Sequence, residues 1–357
     1  MSPEQKFQED ILPSVSRTFA LTIPQLPEAL RGAVTNAYLL CRIADTIEDE
    51  SALSEEEKRA FHEEFVAVVE GRAESGDFSH RLNARLTGAT SADERELVAG
   101  TPLVVGYTRA LPQALREPLI HCVAIMCRGM GQFPEAACRK GVDTLRDFER
   151  YCYYVAGVVG EMLTELFCSI DHEIAAQRGK LLRLAVSFGQ GLQMVNILKD
   201  IWEDHQRGYC WLPHDVFAAH GADVAGKRAD TVDPAFSAGL EQMVGIAHGH
   251  LRHALAYTES IPTRHVGIRR FCLWAIGLAV LTLRNVHQRP DFRHASEVKV
   301  SRRSVRFTVA ATSLASRSNL SLRLLFRLAA RSLPGGAKDT PTPAHSEWKL
   351  QGSTSTG

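Results

Sequence analysis

Two acidic clusters with identical spacing lie inside apolar helical patterns of this chain. Both have the pattern D-x-x-E-D, at residues 45–49 and 200–204. On a helix, offsets of three and four place the carboxylates on one face, about one turn apart. Apolar residues such as Ile43 and Leu198 flank the clusters closely. The pattern therefore favours two mostly buried helices over the alternative of two solvated helix faces.

Carboxylates that face each other across a cavity repel strongly unless a positive charge compensates them. Hard divalent cations with oxygen ligands provide that charge, and Mg²⁺ typically shares such carboxylates with substrate phosphates. Basic residues stand beside both clusters: Arg42 before the first, Lys199 before the second and Arg207 after it. Guanidinium can grip phosphate oxygens bidentately, although each of these residues could equally form an intrahelical ion pair. The clusters predict magnesium-dependent chemistry on a diphosphate ester.

Composition narrows the class of protein. Lys plus Arg and Asp plus Glu both number 41, so net charge gives no case for nucleic acid as a partner. The eight cysteines form no C-x-x-C pair, which favours buried free thiols in a reducing cytosol. The N-terminus lacks the apolar segment of a signal peptide. The longest apolar run, Phe271–Leu283, is too short to span a bilayer and predicts a buried core helix.

Helical periodicity dominates, and no alternating run is convincing as a strand, so we expect an all-α fold. We expect one domain over residues 1–333 and a tail of disordered composition over 334–357. Residues 219–234 have the composition of a mobile loop. Helices are predicted near 28–50, 54–70, 79–87, 92–99, 102–110, 112–130, 134–138, 144–168, 172–204 with a break near Arg178, 237–260, 264–287 and 301–331.

Two further segments have features of a site. Ser16 and Arg17 precede the first long helix and could bind phosphate, although capping alone would explain Ser16. In residues 151–160, Gly157 and Gly160 leave room beside a helix for another backbone or for a ligand chain. Glycine inside a helix costs about 0.5–1 kcal/mol against alanine, so two glycines within four residues indicate a spatial need.

Four ordered motifs resemble those of the squalene/phytoene synthase family, the head-to-head prenyl transferases. They are S-R-T-F at 16–19, Y-L-L-C-R-I-A-D-T-I-E-D at 38–49, Y-C-Y-Y-V-A-G-V-V-G at 151–160 and N-I-L-K-D-I-W-E-D at 196–204. The resemblance covers about residues 10–330 and is strongest to bacterial members. It implies an isoprenoid-synthase helical bundle around a central cavity, with the acidic motifs on opposite walls. It also implies that two identical allylic diphosphates condense to a cyclopropyl diphosphate.

The resemblance also implies roles for individual residues. Mg²⁺ would be bound by Asp45, Glu48, Asp49, Asp200, Glu203 and Asp204. Diphosphate would be held by Ser16, Arg17, Arg42, Lys199 and Arg207. Tyr38 and Tyr151 would lie near the carbocation, as catalytic residues together with the aspartates. The prenyl cavity would be shaped by Phe19, Val155, Val159, Leu163, Gln193, Asn196 and Phe271.

The same resemblance suggests which product forms. Residues 298–303 are similar to the V-K-I-S-R element associated with NADPH binding, and Lys299 and Arg302 could receive the cofactor's phosphates. The implied reaction joins two farnesyl diphosphates through presqualene diphosphate and reduces the product to squalene. The alternative is a member that stops at presqualene diphosphate or forms dehydrosqualene or phytoene. A non-catalytic homologue that binds prenyl diphosphate is a third reading.

A basic amphipathic helix is predicted at 320–333. Its leucines and its arginines both recur at helical spacing. Such a helix can lie in a membrane interface and favours anionic lipid, although docking onto the protein's own body would explain the pattern equally well. We therefore expect a cytoplasmic protein with peripheral contact at the inner face of the membrane.

Overall fold

The computed structural model describes residues 1–133, 140–225 and 233–335, apart from the side chain of Arg17. Across these ranges the chain is α-helical and has no β-strand, which confirms the all-α prediction. An isolated parallel bridge joins Val142 and Pro213. The helix predicted at 134–138, residues 226–232 of the loop predicted at 219–234, and residues 336–357 of the predicted tail lie outside the described residues.

The helices differ widely in length. In chain order they are α1 Pro3–Val15, α2 Arg17–Thr22, α3 Glu28–Asp49, α4 Glu55–Val69, α5 Ser75–Arg85, α6 Ala92–Ala99, α7 Thr101–Ala110, α8 Gln113–Met130, α9 Leu145–Cys152, α10 Val158–Cys168, α11 His172–Ala176, α12 Arg178–Gln206, α13 His214–Ala218, α14 Pro234–Ser260, α15 Val266–Gln288, α16 Ala295–Val298, α17 Arg302–Ala315 and α18 Asn319–Ala330.

Most helices predicted from periodicity are present with small shifts of their ends. α4 begins with a capping box, in which the Ser54 side chain accepts from the Glu57 amide and the Glu57 side chain accepts from the Ser54 amide. The predicted break near Arg178 is where α12 begins. Helices α1 and α2 were not predicted. The Pro13 inside α1 obscures its periodicity, although Ser2 and Pro3 are ordinary helix-start residues.

Two of the long predicted helices are wrong in detail because each is interrupted. The helix expected at 144–168 contains a π-helical turn at Tyr153–Gly157 between α9 and α10. The helix expected at 301–331 breaks into α17 and α18. At that break the buried Arg269 guanidinium donates to the Ser316 carbonyl at 2.5 Å and to the Asn319 side-chain oxygen at 2.6 Å. These contacts fix a turn that periodicity alone cannot reveal.

The described chain separates into two compact units. The first unit contains Met1–Gln132 and Met162–Ala176. In it α3 packs against α4, α7 and α8. Asn36, fully buried on α3, donates to the Val104 carbonyl at 2.8 Å and accepts from the Thr108 hydroxyl at 2.7 Å, which locks α3 to α7. A single domain over residues 1–333 stays a prediction.

The second unit contains Phe133–Glu161 and the chain from Gln177 onward. Its core surrounds α12, which packs on α14 and on the π-helical turn. Glycines permit the second of these contacts. A Cβ on Gly160 would overlap the Ala185 carbonyl, and one on Gly189 would overlap the Ala156 carbonyl. The space predicted beside Gly160 is therefore filled by another backbone.

Two helices of the second unit, α12 and α15, are long and apolar enough to cross a membrane by length and composition. In each helix, 61% of the most apolar 18-residue stretch is buried inside the protein, as in a core helix. The apolar run at Phe271–Leu283 is thus the central part of a longer helix, α15. The seven described cysteines are free thiols, and all except Cys168 are buried, as expected.

Candidate active site

The first acidic motif occupies the C-terminal end of α3. Asp45 and Glu48 are half-buried, Asp49 is exposed, and the intervening Ile47 is fully buried. The C-terminal end of a helix carries partial negative charge, so carboxylates there are electrostatically unfavourable without a cation. No basic residue lies in the last turn of α3. This helix end therefore favours a positively charged ligand.

Arg42 is the cation that lies beside this motif. Its guanidinium forms an ion pair with Glu94 of α6 and approaches the Asp45 carboxylate to 3.9 Å. The Asp45 side chain is 37% exposed, but other carboxylates lie close to it. Burial, and then the charge of Asp49, raise the pKa of Asp45 to about 7, although Arg42 opposes the shift. An additional cation would relieve this crowding.

Ser16, Phe19 and Tyr38 come together in the same unit. The Ser16 hydroxyl caps α2 by accepting from the Phe19 amide at 3.1 Å. The Tyr38 hydroxyl donates to the Val15 carbonyl at 3.0 Å, and the Phe19 ring lies 4.8 Å from the Tyr38 ring between centroids. Burial is the main cause that raises the pKa of Tyr38. The capping role considered for Ser16 is confirmed.

The second acidic motif occupies the C-terminal end of α12, which ends two residues after Asp204. Lys199 forms an ion pair with Asp200, and Arg207 pairs with Asp204 at 2.6 Å. Glu203 differs from both aspartates. Its Oε1 accepts from the Ala295 amide at 2.8 Å, whereas its Oε2 is buried and has no hydrogen-bond partner within the described residues. Lys199 and Arg207 thus form the local ion pairs that were considered as an alternative to phosphate binding.

Tyr151 lies in an aromatic group within the second unit. Its ring stacks on the Trp211 ring at 3.8 Å between centroids, and the Phe133 ring meets it edge-on at 5.4 Å. The Tyr209 ring is parallel to the Trp211 ring at 6.1 Å between centroids. One face of Tyr151 is therefore covered by an indole ring. This leaves at most one face of the phenol ring for a carbocation.

The predicted prenyl residues are dispersed over both units. Phe19 and Leu163 belong to the first unit, and the remainder to the second. In the second unit Val155, Val159 and Gln193 are half-buried, Asn196 is exposed and Phe271 is buried. A small cleft lined by Trp202, Asp204, Cys210, Trp211 and Phe236, among others, includes none of the predicted prenyl residues. Their role in a prenyl cavity stays a prediction.

The chemistry of the donors fits Mg²⁺. The buried, unpartnered Oε2 of Glu203 and the crowded Asp45 carboxylate are hard oxygen atoms that a divalent cation would satisfy. Among the residues that the structure describes, no group of three or more His, Cys, Asp or Glu side chains is close enough together to hold a metal ion. Mg²⁺ usually keeps several waters and shares its carboxylates with substrate phosphates, so this donor set suits a substrate-borne cation.

Comparison with known proteins now identifies the chain's relatives. The family model described as squalene/phytoene synthase matches residues 12–304. The chain belongs to the squalene/phytoene synthase family. The squalene synthase ERG9 of Gibberella zeae is 30% identical over 81% of this chain and 60% of its own length. The chain spans about 60% of the length of the first curated relatives that it matches.

Solved structures of the squalene/phytoene synthase family share the fold. The structure of TcSQS in complex with the ligand BPH1237 superimposes with a TM-score of 0.75 at 25% identity, over 95% of this chain and 94% of that one. A dehydrosqualene synthase in complex with ligand gives a TM-score of 0.61 at 21% identity, over 87% of this chain and 95% of that one, which is a likeness of fold. The predicted isoprenoid-synthase fold is confirmed.

Several residues that support the family motifs escaped sequence reasoning. Glu94 binds Arg42 from 52 positions away, and its only local signal is the capping box that it forms with Ser91. Glu50 follows the first motif directly but is not part of it. Its buried carboxylate accepts from the Thr87 amide and hydroxyl, both at 2.8 Å, and hydrogen bonds of this kind lower its pKa. Trp211, which stacks on Tyr151, lies outside the four motifs.

Proposed function

We propose that this chain is a squalene synthase that joins two farnesyl diphosphates through presqualene diphosphate and reduces the product with NADPH. The observation that carries the proposal is the pair of D-x-x-E-D motifs, each at the C-terminal end of a helix with a basic side chain against it. Carboxylates recruit magnesium diphosphate in this setting, and the neighbouring guanidinium and ammonium groups bind phosphate oxygens. Membership of the family supports the head-to-head reaction.

The residues that would hold the ligands follow from this proposal. The Mg²⁺ ligands are Asp45, Glu48, Asp49, Asp200, Glu203 and Asp204. The diphosphate-binding residues are Ser16, Arg17, Arg42, Lys199 and Arg207. When bound, Mg²⁺ neutralises the diphosphate leaving group and NADPH supplies the hydride of the second step.

In the first step the allylic C–O bond of one farnesyl diphosphate breaks, and diphosphate leaves with the electron pair. The double bond of the second substrate attacks the allylic cation, and loss of a proton closes the cyclopropane ring. The released diphosphate is the base that accepts that proton, and Tyr38, whose hydroxyl donates to the Val15 carbonyl, is proposed to lie beside the proton's path. The electron-rich ring of Tyr151, held in place by its stacking on Trp211, suits stabilisation of the cation.

In the second step the C–O bond of presqualene diphosphate breaks and diphosphate leaves with the electron pair. The resulting cyclopropylcarbinyl cation rearranges, and a hydride from NADPH would convert it to squalene with release of NADP⁺. Lys299 and Arg302 are exposed, and the structure gives them no ion pair within the described residues. Arg302 and Arg303 open α17, whose first turn contains no acidic residue. The positive end of the helix and two guanidinium groups favour the phosphates of a dinucleotide.

The product decides between this proposal and its alternative. Purified enzyme is incubated with farnesyl diphosphate and Mg²⁺, with and without NADPH, and the lipids are identified by mass spectrometry. We expect presqualene diphosphate without NADPH and squalene with it. A product that does not change when NADPH is added would establish the alternative, a synthase that ends at presqualene diphosphate, dehydrosqualene or phytoene.

The two acidic motifs give the test of catalysis itself. Asp45→Asn and Asp200→Asn each remove one carboxylate charge, and we expect each to lower turnover on the order of 100-fold or more. Glu63→Gln, an exposed carboxylate change on α4, is the control and should retain wild-type turnover. If both aspartate variants remain fully active, the chain is a non-catalytic homologue or uses other residues.

The C-terminal helix α18 has two different faces. Leu322 and Ala330 are buried, and Phe326 packs on the core of the second unit. Leu320, Leu324 and Leu328 recur every four residues and are 79%, 58% and 55% exposed. The inner face of α18 therefore docks onto the protein's own body, which was one of the two expectations for this helix. Its outer face carries an exposed stripe of leucines.

The outer stripe favours an anionic bilayer as its partner. Phe307 and Leu314 of α17 are also exposed, at 73% and 86%. Residues 298–335 carry eight Lys or Arg and no Asp or Glu. Arg323 pairs with Glu259, and the other basic residues leave a local excess of positive charge beside these apolar side chains. This combination suits an interface of acyl chains and anionic headgroups. The proposal therefore includes peripheral attachment to the inner, anionic leaflet, where an insoluble product can be released.

Membrane attachment is tested with point variants, because truncation would remove the partners of Arg269. The triple change of Leu320, Leu324 and Leu328 to Gln should lower co-sedimentation with phosphatidylglycerol vesicles about tenfold. Leu21→Gln, at another exposed leucine, is the control. Wild type should bind phosphatidylcholine vesicles weakly. Equal sedimentation of wild type and triple variant would reject the membrane role and point to a protein partner or to the chain's own tail.

A further inference from the structure

The carboxylate of Glu203 serves two different purposes in the second acidic motif. Its Oε2 is the buried, unpartnered oxygen that suits a cation. Its Oε1 accepts a hydrogen bond from the Ala295 amide at 2.8 Å, across 92 positions of sequence. Ala295 is the first residue of α16, and Lys299 follows that helix directly. The acidic motif and the predicted cofactor segment are therefore joined by one hydrogen bond.

α16 packs on α12 and also receives hydrogen bonds from α15 and from the residue that follows α15. The Asn285 side chain donates to the Val298 carbonyl at 3.0 Å, and the Arg289 guanidinium donates to the Glu297 carbonyl at 3.0 Å. Val298 is fully buried. These contacts fix the C-terminal end of α16 and leave its N-terminal end to other partners.

The N-terminal end of α16 depends on two carboxylates. The Glu297 side chain accepts from the amides of Arg293 and His294, at 3.1 and 3.0 Å. The next amide, that of Ala295, is the one that Glu203 accepts. The first amides of a helix have no intrahelical acceptor, so loss of the Glu203 contact would leave one without this partner.

We propose that Glu203 is a positioning residue for the reductive step: it fixes α16, and through it the Lys299–Arg302 segment, to the end of the acidic helix. The inference rests on the proposed function, because it concerns the segment that would bind NADPH. A cation bound at Oε2 leaves Oε1 in contact with Ala295, so one side chain serves the diphosphate site and orients the cofactor segment. The NADPH site is thereby built onto the diphosphate site without a dinucleotide-binding domain.

Ala295→Pro tests the contact without changing the carboxylate. Proline removes the amide hydrogen and is well tolerated at the first position of a helix. The preceding His294 has φ −141° and ψ 142°, an extended conformation that a following proline permits. Ala295→Gly is the matched control, since it retains the amide. Glu203→Gln retains the acceptor oxygen but removes the charge.

Three measurements are made on the full chain with Mg²⁺ present: the NADPH dissociation constant from cofactor fluorescence, amide hydrogen exchange over residues 293–301, and the rate of presqualene diphosphate formation. For Ala295→Pro we expect NADPH affinity to fall about 5–10-fold and exchange near α16 to increase. Presqualene diphosphate formation should stay within about twofold of wild type. For Glu203→Gln we expect the reverse effects: slow presqualene diphosphate formation and near-normal NADPH affinity.

The outcomes separate this inference from the proposed function. If wild type binds NADPH and Ala295→Pro binds it equally well with unchanged exchange, the positioning role of Glu203 is overturned while the squalene synthase proposal stands. If wild type neither binds NADPH nor makes squalene, the reductive step itself fails, and the inference fails with it. A fall in NADPH affinity in Ala295→Gly as large as in Ala295→Pro would also overturn the inference, because the glycine variant keeps the hydrogen bond.

Discussion

Glu94 forms an ion pair with Arg42, the residue that precedes the first acidic motif by three positions. The pair is half-buried, with 28% of the Arg42 side chain and 18% of the Glu94 side chain exposed. The same guanidinium lies 3.9 Å from Asp45. A carboxylate from outside the motif therefore orients the cation that is proposed to bind diphosphate. Arg42 cannot turn toward Asp45 alone without losing its partner.

The first prediction concerns this ion pair. Glu94→Gln removes the charge but retains a side chain that can complete the capping box of α6. We expect KM for farnesyl diphosphate to rise about fivefold with kcat within twofold, which corresponds to about 1 kcal/mol of lost orientation of Arg42. Steady-state kinetics measure both constants. The exposed Glu96→Gln on the same helix is the control, and an equal effect there would contradict the role of Glu94.

The second prediction concerns the stability cost of Asp45. A carboxyl whose pKa is raised by folding stabilises the folded state below its unfolded pKa, near 4. That contribution is lost as pH rises toward its folded pKa of about 7. Asp45→Asn should therefore raise Tm at pH 8 in a chelating buffer, by about 1–3 °C after solvent screening, and leave Tm nearly unchanged at pH 4.

Addition of Mg²⁺ provides the control for this prediction. The cation compensates the wild-type carboxylates, so it should raise the wild-type Tm at pH 8 and narrow the difference from Asp45→Asn. Differential scanning calorimetry with and without Mg²⁺ measures both effects. A lower Tm for Asp45→Asn at pH 8 in the chelating buffer would show that the ionised Asp45 carboxylate does not destabilise the folded protein.

How much the sequence predicts depends on the range of the interaction. Helix α4 and its cap were predictable because Ser54 and Glu57 interact within one turn. The contacts of Arg42 with Glu94 and of Glu203 with Ala295 join residues 52 and 92 positions apart, and no local pattern encodes them. Intrahelical spacing did predict the contact of Arg42 with Asp45, which lies three positions away.

The π-helical turn illustrates a second reason for failure. Periodicity assumes 3.6 residues per turn, so the helix predicted at 144–168 was expected to keep one register along its length. The wider turn at Tyr153–Gly157 changes the register of every residue after it. Glycine at 157 and 160 indicated a close approach correctly, but the sequence could not say that the neighbour is the backbone of α12.

The third prediction tests that close approach. A Cβ on Gly160 would overlap the Ala185 carbonyl, which belongs to a packed helix and cannot move aside as a flexible side chain would. We expect Gly160→Ala to lower the free energy of unfolding by about 1–3 kcal/mol. Gly249→Ala is the matched control, because a Cβ there meets nothing within 4 Å.

The control should change stability in the opposite direction. Alanine is favoured over glycine inside a helix by about 0.5–1 kcal/mol, so Gly249→Ala should stabilise the protein. Guanidinium denaturation measures both variants. Stabilisation by both substitutions would mean that the crossing of the π-helical turn and α12 can open to accept a methyl group at little cost.

The last prediction concerns His62, whose ring supports the first acidic motif from α4. His62 is 2% exposed, and its Nε2 lies 3.1 Å from the Ala44 carbonyl, which accepts its hydrogen one residue before Asp45. Burial lowers the pKa of His62 to about 4. A histidine with a lowered folded pKa contributes stability above its unfolded pKa of about 6.5 and loses it as pH falls toward 4.

Between pH 7.5 and pH 5 the wild-type protein should therefore lose about 2 kcal/mol of unfolding free energy through this residue. His62→Gln can still donate to the Ala44 carbonyl but does not titrate. We expect the variant to be less stable than wild type at pH 7.5 and to approach or exceed it at pH 5. Guanidinium denaturation at both pH values gives the comparison, with the exposed His80→Gln as control. A constant difference between His62→Gln and wild type at the two pH values would mean that His62 does not become charged on unfolding in this range.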